Sequence, residues 1–353
     1  MGGAWDPISL PVRPGLYINF TEAAAAQIKG GARGTVALPL FQYADAEEKS
    51  FYTIEKVSEA IELFGASFVE PIKLILQGGA KEVLVYTVPK GTGGTAGTSS
   101  ENFTAIREAF SSRHFNVFVY PGAVSEEEQK ETQLWCRDSR EDEGKHFIAV
   151  IGGSGEDDLT PAKGNERSVT LSDDYVVNLI TGVQLNASTV SSAAYAPYIA
   201  GLIAGTAINK SITYAPVYAT DVTKRLKNSE VVASLQKGSL VLVHDGEKVK
   251  VEQGLVTSGK KIRAIRARQA IASDIPKAAS ESYIGKLDNN ADGQAALISA
   301  VKAYLERLEL NNVLTDIIVT LDPDRKSEGD TVYLQIAFTE IDSMERILLS
   351  IKV

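Results

Sequence analysis

The run FNVFVYPGAVSEEEQKETQLWCRDSREDEGKHFIAVI, residues 115–151, decides the fold class. Its two ends, Phe115–Tyr120 and His146–Ile151, are short apolar stretches rich in aromatic and β-branched residues, and they read as buried strands. Between them lies a helix, Ser125–Ser139, opened by Ser125 with Glu128 three residues later, the pattern of a capping box. Glu126, Glu127, Glu128 and Glu131 crowd its first turns, where the helix dipole stabilises negative charge, so paired catalytic carboxylates are not needed to explain them. Strand, helix and strand in this order favour a parallel sheet covered by helices.

The same grammar extends upstream. Glu101–Phe110 is helical, with Phe103, Ile106 and Phe110 on one stripe. Glu82–Val88 is a buried strand, and Pro71–Gln77 reads as a helix started by proline and stopped by Gly78-Gly79. Ile54–Phe64 is a short helix with Thr53 as expected cap, Val57, Ile61 and Phe64 on one face, and Gly65 at its end. Gly34–Pro39 and Leu16–Phe20 are strands. Met1–Pro14 carries Pro7, Pro11 and Pro14 and reads as an extended tail. Gly91–Ser100 (GTGGTAGTSS) is a flexible joint by composition, and a domain boundary is placed there.

Downstream, Tyr175–Ile180 is a strand, Ala193–Ala207 a small-residue helix, and Lys237–Val251 a hairpin turning at Asp245-Gly246. Ile262–Ala272 is a mixed strand or helix start. Gly293–Leu310 is an amphipathic helix with Leu297, Val301, Leu305 and Leu308 on one face and Asp292 as cap. Thr315–Thr320 is a strand, and Thr331–Glu340 alternates so that Val332, Leu334, Ile336 and Phe338 share a side. The chain ends on another strand-like run, Glu345–Val353 (ERILLSIKV). A bare apolar strand of this kind is an aggregation hazard unless it has an assigned partner.

The chain has 353 residues, 44% hydrophobic and 23% charged, with formal net charge -9. Its length suits two or three domains, and its acidity disfavours nucleic acid as a partner. The one cysteine, Cys136, excludes internal disulfides and cysteine-based metal frameworks and fits a reducing compartment. The N-terminus lacks the basic and apolar regions of a signal peptide, and no run of about 18 apolar residues exists, so no membrane insertion is expected.

Chemical motifs are weak throughout. Gly152-Gly153-Ser154-Gly155 follows the strand HFIAVI, where a phosphate loop would lie, but the spacing is not G-x-G-x-x-G and no Walker lysine follows. Glu156, Asp157 and Asp158 come next and would repel a pyrophosphate. Glu156 also replaces the last glycine of G-x-S-x-G. His114, His146 and His244 are scattered singly and read as structural or surface histidines. Lys260, Lys261, Arg263, Arg266 and Arg268 form a basic cluster without interleaved aromatics, which favours contacts with acidic surfaces of a neighbouring subunit over nucleic acid. No nucleophile, base and oxyanion donor assemble. The chain is therefore expected not to be an enzyme, with no catalytic, cofactor-binding or metal residues. The rival reading is an α/β enzyme with a nucleotide- or sugar-type substrate.

Several segments in order along the chain carry a family resemblance. Arg13-Pro14-Gly15-Leu16-Tyr17-Ile18-Asn19-Phe20 is similar to a P-G-(V/L)-Y-(I/V) opening, and Arg33–Pro39 to the strand after it. Phe64-Gly65, then Leu76–Tyr86 with Gly78-Gly79, resembles an F-G followed by a glycine pair and an apolar strand. Ala196–Gly201 is similar to an A-G helix, Glu252–Thr257 to an x-x-G-(I/L)-x-T turn, and Tyr283–Lys286 with Asn289-Asn290 to a Y-I-G-K…N-N stretch. Together they resemble the tail sheath proteins of contractile phage tails, of the type found in defective prophages and phage-tail-like bacteriocins of Gram-positive bacteria.

The resemblance implies an α/β and α+β multidomain fold: a core domain built from both chain ends, an inserted α/β domain and extended terminal arms. Mapped here, residues 1–20 are the N-terminal arm, 21–90 and 251–341 the two parts of the core, 91–250 the inserted outer region and 342–353 the C-terminal arm strand. It implies hexameric rings stacked around a tail tube, contraction that drives the tube through a cell envelope, and no cofactor. The partners implied are the chain itself, the tube protein, and baseplate and tail terminator proteins, in a virion tail or phage-tail-like particle assembled in the bacterial host cytoplasm. The arms carried over are Leu16, Tyr17, Ile18, Asn19 and Phe20 at one end and Arg346, Ile347, Leu348, Leu349, Ile351 and Val353 at the other. The expected acceptor strand holds Val332, Leu334, Ile336 and Phe338, and the expected tube-facing residues are Lys302, Glu306, Arg307 and Glu309.

Overall fold

The computed structural model describes residues 28, 33–90 and 100–352. The first half is a doubly wound unit: β1 (Thr35–Leu40), β2 (Phe51–Ile54), α1 (Val57–Phe64), α2 (Glu70–Gly78), β3 (Glu82–Thr87), α3 (Ser100–Ser111), β4 (Val117–Val119), α4 (Glu126–Asp142), β5 (Ile148–Gly152), α5 (Pro161–Thr170) and β6 (Val176–Leu179). One six-stranded sheet runs β2-β3-β1-β4-β5-β6. β2 is antiparallel to β3 and every other pair is parallel. β1 pairs with β3 on one side and β4 on the other. Residues before and after the expected joint at 91–100 thus build one sheet, and the division expected there does not coincide with a break in it. Residues 91–99 themselves lie outside the described residues.

β1 is buried along its whole length, as a central parallel strand covered on both faces must be. The remaining elements are β7 (Val183–Leu185), β8 (Ser188–Val190), α6 (Ser192–Gly205), β9 (Asp221–Val222), α7 (Asn228–Gln236), β10 (Leu242–His244), β11 (Val249–Val251), α8 (Ile262–Ser282), α9 (Ala291–Leu310), β12 (Leu314–Leu321) and β13 (Leu334–Glu340). They add a three-stranded sheet β8-β7-β9 and the ribbons β10-β11 and β12-β13.

Helix α6 is apolar all round and is buried accordingly, with Tyr195, Ile199, Ala200 and Ile203 in the main core. Its small residues let it lie backbone to backbone on α2. A Cβ on Gly201 would stand 2.0 Å from the carbonyl oxygen of Ile75, and one on Gly78 would stand 2.3 Å from that of Tyr198.

A second, smaller core gathers Val301, Tyr304, Leu305 and Leu308 of α9 with Leu314 and Val319 of β12. The expected stripe of α9 packs there. Helix α8 joins the two cores: Ile262 and Ile265 enter the large one and Ala267 the small one. Polar contacts complete this joint. Gln269 donates to the carbonyls of Asn116 (2.8 Å) and His146 (3.1 Å), and Arg266 donates to that of Thr206 at 2.6 Å. Buried Asp274 pairs with Arg33 and accepts the Tyr304 hydroxyl at 2.6 Å.

Several local expectations are corrected. Helix α1 starts after Lys56, not Thr53, because 51–54 is taken up by β2, and Ile61 is 42% exposed while Ala60 turns inward. Residues 262–282 form one helix carrying Pro276. The cap of α9 is Asn290, whose side chain accepts the Gly293 N–H, two residues earlier than Asp292. Helices α5 and α7 were not expected. At α4, Ser125 caps the Glu128 N–H at 3.2 Å, but the Glu128 carboxylate turns inward to accept from the Tyr120 hydroxyl at 2.7 Å and to pair with Arg107.

Candidate assembly surfaces

The ribbon β12-β13 presents backbone on both outer sides, since among the described residues each strand pairs only with the other. Such a ribbon is marginal alone and depends here on α9. Leu334, Ile336 and Phe338 lie on β13, half-buried on the side packed into the smaller core. Val332 precedes the strand and lines a groove beside Tyr283 and Leu297.

The C-terminal run Arg346–Lys352 forms no strand and is exposed along its length. Ile347 is 72% and Leu348 95% exposed, and Leu349 and Ile351 are similarly bare. Val353 and Leu16–Phe20 lie outside the described residues. An exposed apolar run and an open strand edge are the raw material of β-augmentation.

The residues just before this run are pinned. The Ile341 N–H donates to Val313 O at 3.1 Å. Lys261 reaches Asp342 (2.6 Å) and Glu345 (3.0 Å), and Arg263 donates to the Ser343 hydroxyl and to Asn312 O. The basic cluster is engaged within its own chain. Lys260 pairs with Asp174, Arg268 with Glu340, and Arg266 caps the end of α6 through backbone carbonyls. All five cations serve their own chain.

The loop Gly152–Gly155 is closed from inside. Gly153 N–H donates to the Ser192 hydroxyl at 2.7 Å, and a Cβ on Gly152 would meet the Ser192 backbone at 2.4 Å. Asp158 occupies the N-terminus of α6, accepting the Ser192 N–H and hydroxyl. The chain's own carboxylate thus fills the position an anionic ligand would take. Burial pushes the Asp158 carboxyl up to about 6, against the opposing pull of Ser192 and Arg167.

The crevice outside β1 and β4, where a doubly wound sheet reverses its winding, holds about 400 Å³ and is walled by Phe41, Phe68, Phe103 and Tyr120. The Tyr120 hydroxyl donates to Glu128. The histidines stand apart. His146 Nδ1 lies 3.0 Å from the Tyr175 hydroxyl, and His244 Nδ1 accepts the Gly246 N–H. Burial lowers the pKa of both His114 and His146. On α9, Lys302 and Glu306 are exposed and 3.9 Å apart, while Arg307 and Glu309 are half-buried. Among the described residues no helix is long and apolar enough to cross a membrane.

Known proteins match this architecture. The model of the phage tail sheath protein central domain matches residues 96–257, and that of the phage tail sheath C-terminal domain matches residues 257–353. Two proteins of Bacillus subtilis (strain 168) align over shorter stretches. The uncharacterized protein YqbK is 32% identical over 101 residues, 28% of this chain and 22% of its own length. The phage-like element PBSX protein XkdK is 33% identical over 98 residues, 27% of this chain and 21% of its own. The match therefore spans only about a fifth of these curated relatives. Among solved structures, a sheath tail protein from Desulfitobacterium hafniense superposes with TM-score 0.77 at 20% identity, covering 94% of this chain and 98% of that one. The anti-feeding prophage helical sheath in its contracted state gives TM-score 0.74 at 16% identity, covering 97% and 99%. With the two domain models running end to end from residue 96 to 353, the chain belongs to the phage tail sheath proteins, a structural family and not an enzymatic one.

Proposed function

We propose that this chain is the repeating subunit of a contractile tail sheath, polymerising as stacked hexameric rings around a tail tube and contracting to drive the tube through a cell envelope. The observation that carries the reading is that the chain holds both an unpaired apolar run and unpaired strand edges. The apolar run Arg346–Lys352 lacks a partner strand among the described residues, and the ribbon β12-β13 offers two unpaired edges. Donation of the run to a neighbour's ribbon satisfies both. A donor and acceptor on different parts of one molecule make a head-to-tail contact that builds a helix or ring. Leu16–Phe20 is the candidate strand for the other edge. The fold shared with the contracted anti-feeding prophage sheath, and with a chain of its baseplate, supports the same assignment.

The partners proposed are further copies of the chain, a tube protein, and baseplate and tail terminator proteins, in a virion tail or a phage-tail-like particle assembled in the host cytoplasm. The solvent face of α9 bearing Lys302 and Glu306 is the proposed tube contact, with Arg307 and Glu309 at its margin. Electron microscopy of the full chain and of a chain ending at Glu345, each mixed with tube, tests the reading. Rings and sheaths from the full chain and none from the truncated one are expected. Sheaths of normal length and order from the truncated chain would sink it.

A further inference from the structure

The transition from pinned to bare chain falls between Glu345 and Arg346. The Glu345 side chain is 8% exposed, whereas its neighbour Met344 is 91% exposed. One carboxylate oxygen accepts from the hydroxyls of Thr213 (2.8 Å) and Ser211 (3.2 Å), the other from Gln253 Nε2 (2.9 Å) and Lys261 Nζ (3.0 Å). The donors come from three separate places: the segment between α6 and β9, the turn after β11, and the residue before α8. They are bound to one another as well. Thr213 Oγ1 accepts the Gly254 N–H at 3.0 Å, and Ser211 Oγ accepts the Thr213 N–H at 3.1 Å. The socket is rooted in the large core through Ile212, which is buried. Residue 341, four positions back, is bonded to Val313 of the α9 ribbon unit.

We infer that Glu345 is the positioning residue of the C-terminal arm: its carboxylate, seated in the Ser211–Thr213–Gln253–Lys261 socket, fixes the arm's exit point and direction to the α/β unit rather than to the ribbon that precedes it. This rests on the arm-pairing reading above. Chain beyond Glu345 reaches about 25 Å when extended across residues 346–352, so the position of its first residue decides which neighbouring ribbon edge it meets. A tether free from Glu340 onward would sample many directions and lose that selection, at the entropic cost of ordering each added residue. The seat also needs a charged acceptor. Four donors converge on two oxygens, one of them a cation, and an amide in place of the carboxylate turns its own N–H₂ toward Gln253 and Lys261.

The test compares Glu345→Ala, Glu345→Gln and a chain ending at Glu345, using hydrogen exchange on the unassembled protein and microscopy of assemblies. Glu345→Ala is expected to speed exchange at Gly254 and Ile341 by about tenfold or more while the β1, β3 and β4 amides keep their protection, and to give short or disordered sheaths. Glu345→Gln falls between. The truncated chain keeps wild-type exchange at both reporters yet fails to assemble. Wild-type exchange together with ordered sheaths in Glu345→Ala would overturn the inference. Assembly by the truncated chain would instead overturn the arm-pairing reading and leave the socket's exchange result standing. Should Glu345→Ala fold poorly, Lys261→Met removes the cation from the opposite side and must show the same two effects.

Discussion

Asp158 and Ser192 are joined twice: the carboxylate accepts the Ser192 N–H at 2.7 Å and its hydroxyl at 2.5 Å, in the first turn of α6. Burial raises this carboxyl to about 6, so the folded chain holds a proton there that the unfolded chain releases near the ordinary aspartate value. Between about pH 4 and 6 the native state binds more protons, and the contribution of this group to stability falls as pH rises through that window. Urea unfolding at several pH values is expected to show a component of this sign in the parent chain that is missing in Asp158→Asn. Asp158→Ala, which orphans the Ser192 donors, is expected to cost about 1–3 kcal/mol. An unchanged pH profile in Asp158→Asn would refute the assignment.

Gly201→Ala sets two effects against each other. Helix propensity favours alanine by about 1 kcal/mol. The new Cβ would meet the Ile75 carbonyl at 2.0 Å, which only backbone movement relieves. Overpacking of this kind costs about 1–3 kcal/mol or more, so a net loss is expected in thermal unfolding. Gly122→Ala, with nothing near its Cβ, serves as the control and should stay within about 0.5 kcal/mol.

Tyr304→Phe removes the hydroxyl that donates to buried Asp274, a carboxylate that also pairs with Arg33. A loss of about 1.5–3 kcal/mol in denaturant unfolding is expected, since the acceptor is charged. Loss below about 0.5 kcal/mol would mean that water or another donor takes the hydroxyl's place.

Leu348→Asp separates folding from assembly. The side chain is 95% exposed, so the unassembled protein should unfold within about 0.5 kcal/mol of the parent. A charge placed in the run proposed for donation should abolish ordered sheaths under the microscope. A parent-like sheath would show that this residue makes no apolar contact in the polymer.

Cys136 donates to the Phe147 carbonyl at 3.2 Å, and burial pushes its thiol well above the usual range. It is expected to stay inert to a thiol reagent in the native protein and to react fully once denatured. Stoichiometric labelling of the folded chain would contradict its placement.

Much of this was legible in the sequence because it is local. Ser125 announces α4, and the alternation Leu334, Ile336, Phe338 announces the inward side of β13, since each depends only on nearby residues. The misreadings share another cause. Phe51–Ile54 reads as the lead into a helix because its strand partner, β3, lies about thirty residues later in the chain. Residues 262–272 read as a mixed strand or helix start because the five cations of 260–268 obscure a stripe of small residues, and because the acceptors of those cations are far away, at Asp174, Thr206, Glu340 and Glu345. The socket of Glu345 left no signal either. Serine, threonine and glutamine at 211, 213 and 253 are ordinary loop residues until the fold brings them around one carboxylate.

The crossing of α2 and α6 has a mechanical consequence. Where most helix pairs are spaced by interlocked side chains, Gly78 and Gly201 bring backbone against backbone, with no soft layer between to compress or repack. Load arriving on one helix is passed to the other with almost no give. For the contraction proposed above, compliance inside the subunit would take up displacement as internal strain. On that proposal, a stiff crossing in the large core would leave the displacement to the joints between subunits.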